Sequence, residues 1–297
     1  MKKRILILVS FLIVGVVGLA LGANLPKFQA DFKKIAEEKK VKSEEERVDR
    51  LSAQVLPKEG FELAVSWGDF GPKLVEAGVI DLAKFEEAVR LTDEQRKILT
   101  EGSNAKVRID GTNSQFVVDF LWALGLAQKS IVYEEGPLGT QYKNERGNFA
   151  STGGWTLANG DAVKYLGKYD LITLSSEQQK LVGEIAKNVY RPCCGNSTWF
   201  PDCNHGMAAL AAIELMVSAG ISEETIYKEI LKLNSFWFPD TYLVTAVYFD
   251  RSGTPWDKVD AKEVLGVKYS SGQGAADIAK KVGPLPGSDS GSGSCGA

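Results

Sequence analysis

Three of the four cysteines and the only histidine of this 297-residue chain fall inside the run YRPCCGNSTWFPDCNHGM, from Tyr190 to Met207. Thiolate sulfur and imidazole nitrogen are ligands for soft or borderline ions. Cys193, Cys194, Cys203 and His205 therefore form a three-sulfur, one-nitrogen set suited to Cu(I) or Zn(II), which the sequence does not distinguish. Met207, two residues beyond His205, could add a thioether and would tilt the choice toward copper. The adjacent pair Cys193-Cys194 lacks the Cys-x-x-Cys spacing of zinc ribbons and fingers.

Two other chemistries compete with a metal. In a redox dithiol, Cys203 would be the nucleophile, since it is predicted at a helix N-terminus where the macrodipole favours a thiolate, and Cys193 or Cys194 would resolve. In a static disulfide, Cys193 or Cys194 would bridge to Cys203 and leave an odd thiol. That thiol could pair with Cys295, and Cys295 could equally cross-link chains or supply a further ligand. Covalent haem attachment is excluded by the lack of a Cys-x-x-Cys-His run, and a serine hydrolase by the lack of a second histidine.

These side chains must be positioned by the elements that flank them. Ser175-Ser176-Glu177-Gln178 reads as a capping box opening a helix that runs to about Val189 and is stopped by Pro192. Asn204 or Asp202 should cap an apolar helix from about Gly206 to Ser218, Gly220 ends it, and Ser222 starts the next. Two helices thus converge on one loop, 190–207. Upstream, Phe61–Trp67 and Lys106–Ile109 read as extended, and Thr92 to Gln95 is a second capping box. Asn113 is expected to cap a buried helix over 115–127. Residues 136–170, rich in Gly, Asn and Tyr, predict a long irregular loop with a hairpin around Trp155, either a functional segment or a surface insertion.

The ends of the chain bear on its compartment. Lys2, Lys3 and Arg4 precede an uncharged apolar stretch over residues 5–23, and about 19 helical residues nearly span a hydrocarbon core of about 30 Å. Residues 1–24 therefore predict a membrane anchor or signal segment, with the folded part on the extracytoplasmic side, or secreted if the segment is cleaved. Residues 25–55, dense in charges of both signs, predict an exposed helical stalk. Residues 56–283 predict a helical globular domain, and 284–297 a Gly/Ser tail with no capacity to pack. The net charge of -3 gives no basic footprint for nucleic acid. The expected fold is mainly α with at most a small β element.

Within residues 175–233, SSEQQKLVGEIAKNVYRPCC, then GMAALAAIELMVSAG, then Gly220-Ile221-Ser222-Glu223-Glu224 resembles the helical thiol-reductase module of the cytochrome c maturation system. The resemblance implies a helical scaffold and a membrane-anchored extracytoplasmic setting. This chain departs from that pattern in having Cys193 and Cys194 adjacent and in adding Cys203 and His205. The sequence taken together points to a tethered soft-metal protein for handling, delivery or sensing rather than catalysis, with a protein partner for metal or thiol exchange. A thiol-disulfide oxidoreductase and a non-catalytic interaction protein with a stapled loop are the alternatives.

Overall fold

Alternating side chains in FELAVSWG make β1 (Phe61–Gly68) a half-buried strand with Leu63, Val65 and Trp67 on its inner face. β1 pairs antiparallel with β2 (Ser103–Ile109), Phe61 opposite Ile109 and Glu62 opposite Arg108, with irregularities before Ser66–Lys106 and Gly68–Ser103. The computed structural model describes residues 33–286, and among them these are the only strands. Between them lie three short helices, α2 (Phe70–Glu76), α3 (Leu82–Val89) and α4 (Asp93–Thr100), the last opened by the Thr92/Gln95 capping box.

Residues 33–55 are helical (α1), and the chain divides into two units after Asp49. Up to Asp49 the side chains are mostly exposed. From Arg50 onward the helix belongs to the globular unit: Leu51 and Val55 are buried, and Arg50 pairs with Asp250 at 2.9 Å. The globular part thus begins at Arg50, earlier than the expected start near Leu56, because these two apolar residues on one helical face find a core. No helix among the described residues is long and apolar enough to cross a membrane. The apolar segment 5–23, the predicted anchor 1–24, residues 25–32 of the stalk and the tail from 287, with Cys295, lie outside the described residues.

The centre is a pair of helices that are apolar on nearly every side, α5 (Ser114–Ala127) and α8 (Asn204–Ser218). They approach closely at Gly125, where a Cβ would stand 2.3 Å from the Met207 carbonyl oxygen. Asn113 does not cap α5 through its side chain as expected. Its amide is spent on the preceding turn, accepting from Asp110 N–H at 2.8 Å and donating to the Arg108 carbonyl at 3.0 Å.

α5 ends at Gln128, whose side chain is fully buried and fully used. Its Oε1 accepts from the backbone of Leu171 and Ile172 at 2.8 and 2.7 Å, and its Nε2 donates to the carbonyls of Lys129 and Ile172. A short helix, α6 (Val132–Glu135), follows.

Residues 136–170 are irregular apart from two 3-10 turns, and the hairpin expected around Trp155 does not form. The physical reason is burial. Trp155 is 2% exposed, packs edge-on against Trp122 at 4.8 Å and donates its indole N–H to the Val79 carbonyl at 2.7 Å. An aromatic plug of this kind satisfies its segment through core contacts rather than through a ladder. The loop thus sends Leu138, Trp155, Ala158 and Tyr165 into the core while many of its other residues stay exposed.

The remaining helices are α7 (Ser176–Asn188), opened by the Ser175/Gln178 capping box, α9 (Glu223–Trp237), capped by Ser222, and α10 (Pro239–Arg251). α10 follows α9 almost directly, with Pro239 at its first position. α11 (Ala261–Val264), α12 (Val267–Ser270) and α13 (Gly272–Val282) complete the described chain.

Candidate metal centre

The segment from Val189 to Cys203 leaves α7, turns back on itself and enters α8. Tyr190 and Ser197 form an isolated antiparallel bridge, and Thr198 N–H donates to the Val189 carbonyl at 2.8 Å, so the loop closes at its base. Its Cys194 end is held from outside, because Gly272 N–H donates to the Cys194 carbonyl at 2.7 Å. Neither Asn204 nor Asp202 caps α8. Cys203 occupies the N-cap position, with no side-chain cap bond. Asp202 and the Cys203 sulfur are drawn instead toward a residue that the sequence reading passed over.

That residue is Arg191. It is 1% exposed, and every arm of its guanidinium is used. Nε donates to Cys203 Sγ at 2.9 Å, Nη1 to the Asn196 carbonyl at 3.0 Å, and Nη2 to the Phe200 carbonyl at 3.0 Å and to Asp202 Oδ1. Asp202 is held on its other oxygen by the Asn196 amide at 2.8 Å. Room for this buried fork comes from Gly206 in the first turn of α8, where a Cβ would stand 2.5 Å from Arg191 Cζ. Burial acts against the guanidinium charge, but Cys203, Cys194 and Asp202 more than offset it and raise its pKa further. The signals available in sequence were an arginine beside the cysteines, an aspartate at 202 and a glycine one residue past the histidine.

Cys193 Sγ lies 3.4 Å from Cys203 Sγ, well beyond the 2.03–2.05 Å of a disulfide, and Cys193, Cys194 and Cys203 are all free. The static disulfide considered from the sequence is thus not present among these three. The thiols share protons unequally. The Cys203 thiol is held well below its ordinary range by hydrogen bonds from Cys193 and then Cys194, with burial opposing and Arg191 and His205 assisting. Cys193 is pushed up by hydrogen bonding to Cys194 and Cys203 and by burial. For Cys194 the Cys193 contact acts downward, but Cys203 and burial outweigh it and lift the thiol to about 11. Of the three thiols, Cys203 is thus the one whose deprotonated form is favoured, and it lies beside a permanent cation.

His205 is 7% exposed, its ring 4.4 Å from that of Phe238 and 5.7 Å from that of Trp237, both at the α9–α10 junction. Its Nδ1 is buried without a hydrogen-bond partner, as is Trp237 Nε1. Two overlapping triads could hold a metal ion, Cys193–Cys203–His205 and Cys194–Asp202–Cys203, and within each the ligand atoms lie within 4.8 Å of one another. Met207 does not join them. Its Sδ is 2.6 Å from the Tyr133 hydroxyl in the seam between α5 and α8, and its side chain is fully buried there. The cluster is thus Cys193, Cys194, Cys203 and His205 from the sequence set, with Asp202 added and Met207 removed.

No protein-family model matches this chain, no curated protein matches its sequence, and no solved structure matches its fold. Fold and site define it as a mainly helical protein with a small two-stranded sheet and a cysteine, histidine and aspartate cluster able to hold a metal ion.

Proposed function

We propose that this protein binds one soft or borderline metal ion, Cu(I) or Zn(II), through Cys193, Cys203 and His205, for metal handling, delivery or sensing. The observation that carries the reading is His205. A buried imidazole nitrogen with no partner costs stability unless something completes it, and a ring nitrogen of His205 stands within 4.8 Å of two sulfurs. Of the two triads this one is the freer, because Asp202 is already engaged by Arg191 and Asn196. Arg191 belongs to the site as the group that fixes the Cys203 sulfur, with its Nε donating to Sγ at 2.9 Å.

A tethered, extracytoplasmic setting fits the basic residues at 2–4 and the apolar run at 5–23. It is tested by fractionating cells expressing the whole chain. Recovery from the membrane fraction with the domain accessible to added protease supports the tether, and recovery from the cytosol contradicts it.

The metal reading is tested by titrating reduced full-length protein with Zn(II), and with Cu(I) under anaerobic conditions. One ion per chain is expected, with affinity falling at least about 100-fold in Cys203→Ser. Binding that survives Cys203→Ser unchanged defeats the assignment.

A second reading rests on a separate observation, the 3.4 Å gap between Cys193 and Cys203 with Arg191 on the Cys203 sulfur. That geometry suits a dithiol that cycles with a partner's disulfide. A reduction potential for the Cys193–Cys203 pair below about -300 mV, the range of structural disulfides, removes this reading.

A further inference from the structure

Upstream of the cysteine loop, the irregular segment 136–170 and the α5–α6 connection line an open cleft of about 410 Å³, within the size range of small-molecule sites. Its wall carries Lys129 from one side and Lys143 and Arg146 from the other, with Glu134 as the one carboxylate of the lining. Among the described residues none of the three cations stands in an ion pair. Arg146 is nonetheless held in place, since its Nε donates to the Leu138 carbonyl at 2.6 Å and its Nη2 to the Tyr133 carbonyl at 3.2 Å. Backbone carbonyls fix the fork without neutralising it, which leaves Nη1 for a ligand.

A second feature lies behind the wall. Glu214 of α8 is fully buried and neither of its carboxyl oxygens has a hydrogen-bond partner. Burial lifts its pKa well above the ordinary carboxylate range, against a smaller opposite effect of the Ser130 hydroxyl. Ser130 and Tyr133, the two neighbours that interact with it, are themselves lining residues of the cavity. Burial disfavours the charged form of this carboxyl, so it opposes the three cations of the lining less than an exposed carboxylate would. The lining thus sets one carboxylate against three positive groups, of which Arg146 is fixed by backbone carbonyls.

We infer that this cavity is a binding site for a small organic anion bearing carboxylate or phosphate groups, held by Lys129, Lys143 and Arg146. It is separate from the metal centre and does not depend on that reading. It also gives the long irregular loop a role, since the loop supplies two of the three cations.

The test is calorimetric titration of the full-length protein, at low ionic strength, with citrate and with inorganic phosphate as probes. Saturable binding of one equivalent is expected for at least one of them, and the tighter probe distinguishes carboxylate from phosphate recognition. Lys143→Glu and Lys129→Glu, both exposed positions, should each weaken binding at least about tenfold. Lys58→Glu, on an exposed turn outside the lining, should leave it unchanged. Absence of saturable binding of either probe, or equal weakening by Lys58→Glu, overturns the assignment.

Discussion

Around α8 this protein buries ionisable groups in two opposite ways. Arg191, packed against Gly206 in the first turn, is 1% exposed and fully partnered by a sulfur, a carboxylate and two carbonyls. Glu214, further along the same helix, is fully buried and has no partner for either oxygen. The first keeps its charge paired and organises the loop around it, while burial pushes the second toward its neutral form. At equal depth the two differ in how many hydrogen-bonding groups compensate the burial, several for Arg191 and only the weak influence of the Ser130 hydroxyl for Glu214. Asp119 on α5 falls between them, 5% exposed with a single bond from the Gln115 amide at 2.8 Å.

Substitution should separate these cases sharply. Arg191→Met, which keeps the stem and removes the fork, takes one buried donor away from each of Cys203 Sγ, Asp202 Oδ1 and the Asn196 and Phe200 carbonyls. Denaturant unfolding of reduced protein should show a loss of about 3–5 kcal/mol. A loss below about 1 kcal/mol would mean that the guanidinium does not organise the loop.

Glu214→Leu is expected to act in the opposite direction. It removes an unsatisfied carboxyl from an apolar seam at similar volume, and stability at pH 7 should rise by about 1–3 kcal/mol. A decrease would show that the carboxyl has a partner in the folded state.

Asp119 gives an effect that is tied to pH and vanishes in acid. Burial raises its pKa to about 6, against the Gln115 bond, from an ordinary value of 3.8. A folded-state pKa above the unfolded one means that the fold binds the proton more tightly. This contribution is fully present below about pH 4 and is lost as pH rises through about 6. Asp119→Asn should therefore add up to about 3 kcal/mol at pH 7.5 and almost nothing at pH 4, measured by denaturation at both values.

The contrast also explains what was legible in the sequence. Both capping boxes, at Thr92 and Ser175, stand where their residue types predict, because a cap is a local device needing only three or four consecutive residues. The buried helices α5 and α8 were visible as apolar runs, and the cysteine–histidine cluster as a concentration of rare types. Arg191 was not, because its partners lie 5 to 12 residues away and its burial depends on the missing side chain of Gly206. Trp155 misled for a similar reason. Its Gly-rich surroundings suggest a hairpin, whereas its indole is fixed by Val79, 76 residues distant. Met207, beside the histidine in sequence, is buried in the seam between α5 and α8 with its sulfur against the Tyr133 hydroxyl, a contact made with a residue 74 positions away.

The central claim is that Cys193, Cys203 and His205 converge on one ion, and X-ray absorption of the zinc-loaded, reduced protein tests it most directly. Two sulfur scatterers at about 2.3 Å and one imidazole nitrogen at about 2.0–2.1 Å are predicted. A shell of oxygen and nitrogen alone, or the same spectrum in Cys203→Ser, would contradict it.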